Sequence, residues 1–179
     1  MPEISGAQWC ARYPGSRRVE DLSQPFQGCV AGFLMTLRMA KVSIAIAATW
    51  RPEERAYLMH WCCMIAGGAD PAGVPPMAGV GIDWTHGGDR AAAVTAAKAM
   101  MAGYQIRYPA ALVSRHTQRR AVDMTLTVPA GARIFDKTGQ VHFFDKACTG
   151  EDARVVAIGR TFGVIKLASD PPHWSDDGH

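Results

Sequence analysis

The chain has 179 residues, of which 48% are hydrophobic and 20% charged, with a formal net charge of +3. This length and composition are typical of a folded domain with its own core and exclude a disordered chain. The weak, dispersed charge excludes a nucleic-acid-binding surface of the usual kind. The most apolar region, residues 29–50, is interrupted by Arg38 and Lys41, so we expect no membrane span.

The hydrophobic pattern predicts helices and strands without a regular βαβ repeat, which favours an α+β fold. Residues 1–24 predict an irregular N-terminal arm, and residues 25–179 a single domain. No secretory signal is predicted at the start. Helices are expected at about 29–41, from Pro52 onward, at 90–103 and at 151–162; strands are expected at 42–48, 121–128 and 164–168, with a hairpin at 133–144. The glycine-rich residues 67–88 predict a long loop, typical of a lid or a mobile insertion.

Three separate segments contain residue types that zinc chemistry uses: TWRPEER at 49–55, SRHTQRRAVD at 114–123 and DPPHW at 170–174. A catalytic zinc takes about three protein ligands and leaves one position open for water. The predicted loop before the 121–128 strand can fold back, so that His116 and Asp123 face one ion. His173, expected beyond the last strand, is the candidate third ligand.

Two further residues fit roles beside such an ion. Asp170 precedes His173 by three residues, with two stiffening prolines between them, and is a candidate general base. Arg51 lies at a predicted strand-to-helix junction, where its guanidinium could bind a substrate carboxylate or polarise a carbonyl. Taken alone, however, two histidines are more often surface or core residues than ligands.

The segment SRHTQRRAVD resembles the S-x-H-x-x-G-x-A-x-D pattern of the zinc D-alanyl-D-alanine carboxypeptidase family, which includes D,D-dipeptidases and phage L-alanyl-D-glutamate endopeptidases. DPPHW resembles the family's acidic residue, two spacers, histidine and aromatic residue. TWRPEER resembles its serine or threonine, aromatic residue and arginine. The three segments agree with the family in order and separation, and the resemblance covers about residues 25–175. The positions that match the first pattern are Ser114, His116, Ala121 and Asp123.

This resemblance implies the hedgehog/D,D-peptidase fold, an α+β fold with a small antiparallel sheet flanked by helices. It also implies a zinc cofactor and hydrolysis of a peptide bond in peptidoglycan stem peptides or their precursors. The implied roles are zinc ligation by His116, Asp123 and His173, general base catalysis by Asp170, substrate binding or oxyanion stabilisation by Arg51, and a place in the substrate site for Ser114.

Two positions depart from the family pattern. Arg119 stands where the family has glycine, and an arginine there would be strained if the turn needs a positive φ. The base is Asp170, where carboxypeptidases and dipeptidases of the family commonly have glutamate. Aspartate at this place resembles the endolysin-type enzymes.

The sequence therefore favours an L-alanyl-D-glutamate endopeptidase, with D,D-carboxypeptidase and D,D-endopeptidase activity as alternatives. An alternative of another class is a non-catalytic cell-wall-binding module that keeps a structural zinc. We expect a protein made in the cytoplasm that acts in the periplasm or at the cell wall. The sequence does not determine which stem-peptide bond is cleaved, how the protein is delivered or what its oligomeric state is. It also does not indicate whether an export machinery or an inhibitor protein is a partner.

Overall fold

The computed structural model describes residues 2–179. Within that range the chain forms four α-helices and nine short strands. In chain order they are β1 (Glu3–Ile4), α1 (Phe26–Met39), β2 (Ser43–Ala48), α2 (Glu53–Ala66), β3 (Ile82–Asp83), α3 (Arg90–Tyr104), β4 (Ala121–Val128), β5 (Ala132–Phe135), β6 (Val141–Phe144), β7 (Cys148–Thr149), α4 (Ala153–Thr161), β8 (Ile165–Lys166) and β9 (His173–Ser175). The predicted mixture of helices and small antiparallel sheets is confirmed.

The chain divides into two compact units. The first comprises Arg51–Ser114 with the N-terminal residues up to Gly15, and the second comprises Ser16–Trp50 and Arg115–His179. Each unit has its own hydrophobic core. In the described part of the chain, no helix combines the length and apolar character needed to cross a membrane.

The first unit is built on the helix pair α2 and α3. Pro52 precedes α2, and the carboxylate of Asp89 caps α3 by accepting a hydrogen bond from the main-chain nitrogen of Ala92 at 3.0 Å. Trp9, from the predicted N-terminal arm, is only 1% exposed and packs into this core. Part of the predicted long loop is ordered as β3, which pairs in parallel with β1.

The second unit contains the antiparallel sheet β2-β4-β9-β8, with β7 also paired to β4. Alternate residues of β4 are buried: Val122, Met124, Leu126 and Val128. These side chains share one core with residues of α1 and α4, which identifies the face of the sheet that the helices cover. The intervening residues of β4 point to the opposite face.

Several element boundaries differ from the sequence-based expectation by one to three residues. Helix α1 begins at Phe26, before the predicted start at residue 29. The segment DPPHW was expected to follow the last strand, but its histidine begins β9, which lies between β4 and β8 in the sheet. Trp174 of this strand is fully buried, with its ring centroid 5.6 Å from that of Phe33 in α1. The burial of this tryptophan fixes which face of β9 points away from the core.

Candidate metal centre

Asp123 lies on the central strand β4, on the face that points away from the helices. In the antiparallel register it is opposite Ala48 of β2 and His173 of β9. Directly opposite residues in antiparallel strands project to the same face, so the Asp123 and His173 side chains stand side by side. The pairing register between β2 and β4 shifts between Ile46 and Ala48, so the regular pairing of the two strands is interrupted beside Asp123.

His116 reaches the same place from the turn that leads into β4. This turn is closed by two main-chain hydrogen bonds: the nitrogen of Arg119 donates to the His116 oxygen at 3.2 Å, and the nitrogen of Arg120 to the Arg115 oxygen at 2.7 Å. The chain therefore folds back before entering the strand, as expected. The turn places His116 seven residues before Asp123 in sequence but in direct contact with it.

The three side chains converge on one carboxylate oxygen. Nε2 of His116 lies 3.0 Å and Nδ1 of His173 lies 3.1 Å from Oδ1 of Asp123. The two imidazole rings meet edge to face, with centroids 5.0 Å apart. One potential ligand atom from each residue lies within 4.8 Å of the others, so the group can hold a metal ion.

In each ring the outer nitrogen, which is the one that faces away from Asp123, contacts a main-chain oxygen. Nδ1 of His116 lies 3.3 Å from the Thr49 oxygen, and Nε2 of His173 lies 3.1 Å from the His179 oxygen. Each ring thus has an oxygen acceptor beside both of its nitrogens, and without a metal either nitrogen can donate a hydrogen bond. In a ring that binds a metal, the proton would stay on the outer nitrogen and the lone pair of the inner nitrogen would point at the ion. Metal-ligating histidines have this arrangement, with the outer N–H donated to a carbonyl or carboxylate.

Burial and charge shift the pKa values of Asp123 and His173 in opposite directions. His116 is 3% exposed and His173 is 7% exposed. Burial raises the pKa of Asp123, but the hydrogen bonds and charges of both histidines lower it by a larger amount. The resulting pKa of Asp123 therefore lies below its usual range. Burial lowers the pKa of His173, but the hydrogen bond to Asp123 and its charge outweigh this and raise it. A cation that contacts the same three atoms would stabilise the carboxylate while both rings stay neutral.

The donor set has a composition that divalent transition metals take in proteins. Two imidazoles and one carboxylate are a known ligand set for catalytic zinc, which keeps a further position for water. Structural zinc sites are closed by four protein ligands, and the group found among residues 2–179 has three members. The same donors also suit ferrous iron. The chemistry of the group therefore fits a divalent transition metal, and zinc is one of the metals that it fits.

Asp170 lies in the turn just before β9, and its side chain is exposed. The main-chain oxygen of Asp170 accepts hydrogen bonds from the nitrogen of His173 at 3.0 Å and from Nζ of Lys166 at 2.9 Å. These bonds hold the turn against the strand that carries His173. The charge of Asp170 also raises the pKa of His173, but by less than Asp123 does. Its role as the base stays a prediction.

The structure assigns the other two predicted site residues to the first unit. Arg51 is half-buried in the short segment between β2 and α2, and Ser114 is half-buried in the segment before His116. Both interact with other groups of the chain. Their roles in substrate binding stay predictions.

The other histidines of the first 178 residues have partners away from the candidate centre. His86 contacts the Ser5 hydroxyl at 2.9 Å, and His60 contacts the Ala110 main-chain oxygen at 2.8 Å. His142 lies 3.2 Å from the carboxylate of Asp136 within the β5–β6 hairpin. These three histidines are therefore not members of the candidate metal group.

Arg119 has the left-handed backbone that a glycine favours. Its φ is 61°, so the strain considered for this position is present. The guanidinium carbon lies 4.2 Å from the centroid of the Trp50 ring, in a cation–π contact. This contact stabilises an arginine at a strained position. Trp50 directly follows Thr49, whose main-chain oxygen contacts His116.

We expect Arg119→Gly to be more stable than Arg119→Ala by about 1 kcal/mol. Both variants lose the contact with Trp50, but only glycine relieves the positive φ. Relative to the wild type, the glycine variant should change little, because relief of strain is offset by the lost contact and by the larger backbone entropy of the unfolded chain. Urea unfolding of the two variants measures the difference. Equal stabilities would show that this turn does not enforce the positive φ.

In comparisons with known proteins, no family model, no curated protein and no solved structure matches the chain. The resemblance to the zinc peptidases therefore rests on the three short segments. The sequence identified the side chains that converge, His116, Asp123 and His173, but it gave no indication of the Thr49 and His179 main-chain oxygens. A main-chain acceptor has no residue type, so only the folded chain can identify it.

Proposed function

We propose that this protein is a zinc-dependent peptidase that hydrolyses a bond in peptidoglycan stem peptides. The observation that carries the proposal is the convergence of His116, Asp123 and His173 on one oxygen from two distant parts of the sequence. The resemblance assigns zinc ligation to these same three residues. Both outer nitrogens contact main-chain oxygens, as they do in histidines that bind metals.

Each member of the group has a distinct part in the proposed reaction. Asp123 supplies the negative charge that attracts the cation, and the histidines supply neutral nitrogen donors whose rings are oriented by Thr49 and His179. When bound, zinc would lower the pKa of a water to about 7 and polarise the scissile carbonyl.

Asp170 is proposed to move the proton. Its exposed carboxylate is free to meet a water and a substrate, while its main chain is held by His173 and Lys166. It would accept a proton from the attacking water and return it to the leaving amine as the peptide bond breaks. Arg51 would bind a substrate carboxylate or stabilise the oxyanion, and Ser114 would line the substrate site.

Among the possible bonds we favour the L-alanyl-D-glutamate bond, since aspartate at position 170 resembles the endolysin-type enzymes. D,D-carboxypeptidase and D,D-endopeptidase activity use the same machinery and are the alternatives. In each case the protein would act in the periplasm or at the cell wall.

One experiment tests the metal and the reaction together. We expect purified protein to contain one zinc per chain and to release defined peptides from purified sacculi, identified by mass spectrometry. The masses of the products name the bond. Protein that lacks bound zinc, and that leaves sacculi and soluble muropeptides intact after zinc is added, would refute the proposal.

A further inference from the structure

The turn that carries His116 also carries an arginine in an unfavourable backbone conformation. Arg119 has a φ of 61°, in the left-handed region where side chains larger than that of glycine are strained. Hydrogen bonds hold this conformation: the nitrogen of Arg119 donates to the His116 oxygen at 3.2 Å, and the nitrogen and hydroxyl of Ser23 donate to the Arg119 oxygen at 2.9 Å and 3.2 Å. Strain of this kind persists where the surrounding structure enforces it, and it is concentrated at functional sites.

An aromatic ring positions the side chain of this arginine. Arg119 is exposed, and its guanidinium carbon lies 4.2 Å from the centroid of the half-buried Trp50 ring. A cation–π contact of this kind attracts the guanidinium without using its N–H donors for a hydrogen bond. The ring therefore restricts where the guanidinium lies but does not neutralise its charge.

The charge of Arg119 is not balanced by a neighbouring carboxylate. The two other arginines of the same turn are paired: Arg115 with Asp176 and Asp177, and Arg120 with Asp176. In the part of the chain that the structure describes, no ion pair is formed by Arg119. Its guanidinium is thus a positioned cation whose N–H donors can take an anion from outside the chain.

Two chain segments place this guanidinium next to the candidate metal centre. The hydrogen bond from Arg119 to His116 closes a four-residue turn, in which the first and last Cα atoms lie within about 7 Å of each other. In the other segment, Trp50 directly follows Thr49, whose main-chain oxygen contacts Nδ1 of His116. Two residues of an extended peptide span about 7 Å. A peptide bound at the metal group would therefore bring a residue next to its scissile bond to Arg119.

We propose that Arg119, held against Trp50, binds a free carboxylate on the substrate residue next to the scissile bond. This inference rests on the proposed peptidase function and names a group that the substrate carries. A guanidinium and a carboxylate match in a planar, bidentate pair, which an amide does not reproduce. In an L-alanyl-D-glutamate peptide, the glutamate has two carboxyl groups and the chain continues through at most one of them. A free carboxylate therefore remains beside the bond that we favour.

The first test measures binding apart from cleavage, in protein that carries Asp170→Asn and is expected to hydrolyse slowly. Calorimetry compares two synthetic stem peptides, one with the glutamate carboxylate free and one with this carboxylate converted to an amide. We expect the Kd of the free carboxylate peptide to be about 10-fold lower. Adding Arg119→Gly should make the two Kd values equal. Equal affinities in the presence of Arg119, no binding of either peptide, or a preference that survives Arg119→Gly would each overturn the proposal.

Arg120→Gln is the matched control, since Arg120 lies in the same turn but its charge is paired with Asp176. We expect this variant to keep the full preference for the carboxylate peptide. Arg119→Lys keeps the charge without the planar group and should keep only part of the preference. Glycine suits the positive φ at this position, so Arg119→Gly should stay folded, which circular dichroism checks. An equal loss of preference in Arg120→Gln and Arg119→Gly would overturn the proposal, because the effect would then come from the overall charge of the turn.

The rate of cleavage, measured with zinc present, separates this site from the proposed function. If the carboxylate peptide binds through Arg119 but the protein with its native Asp170 cleaves neither peptide, the peptidase function fails while the carboxylate site stands. If this protein cleaves both peptides at one rate, and Arg119→Gly leaves that rate unchanged, the peptidase stands and the carboxylate site is overturned.

Discussion

Replacing Asp123 by asparagine is expected to abolish specific zinc binding, with a loss of affinity well above about 100-fold. Loss of an outer partner already lowers affinity by about 10–100-fold, and Asp123 is itself a proposed ligand and the only carboxylate of the group. Its Oδ1 is the common partner of both histidines. The neutral amide would keep the shape of the side chain but would not supply the charge that a divalent ion needs.

Zinc content after dialysis and the Kd from chelator competition measure this effect. Asp145→Asn is the matched control, since Asp145 is exposed in the same unit and its nearest cation is Arg154 at 3.9 Å. Circular dichroism of both variants separates loss of the site from loss of the fold. Wild-type zinc affinity in Asp123→Asn would exclude this group as the metal centre.

The regular elements near the site were readable from local sequence. Val122, Met124, Leu126 and Val128 alternate with polar residues in the sequence, and the folded sheet buries these four side chains on the face opposite to Asp123. The turn before β4 was expected to fold back, and it does. Such predictions succeed because hydrophobic periodicity reports which side of an element is buried.

The strand that carries His173 could not be predicted from the sequence. Two prolines precede it and it has three residues, too few for an alternating pattern to be recognised. It becomes a strand because it pairs with β4 and because Trp174 enters the core, and both causes are tertiary. The division into two units was also hidden, because neither Trp50 nor Ser114 lies in a segment with the composition of a linker.

Replacing Asp170 by asparagine is expected to lower peptide hydrolysis by about 10²–10⁴-fold without changing zinc affinity. The expectation follows from the proposed division of labour, in which Asp170 moves a proton but does not contact the metal. The main-chain bonds of Asp170 to His173 and Lys166 do not involve its carboxylate, so the amide should leave β9 in place. The rate of product release from muropeptides and the zinc Kd of the same preparation give the two readouts.

Asp170→Glu supplies the conservative comparison, since it keeps a carboxylate at this position but moves it by one methylene. We expect it to recover part of the activity that asparagine loses, because a proton acceptor is again present near the attacking water. If the protein is a non-catalytic wall-binding module, the opposite pattern is expected. The wild type, Asp170→Asn and Asp170→Glu would then bind sacculi equally well, and none of them would release a peptide. Hydrolysis by the wild type that is unchanged in Asp170→Asn would keep the enzyme but exclude Asp170 as its base, and the proton would then have to be accepted by another group beside the metal.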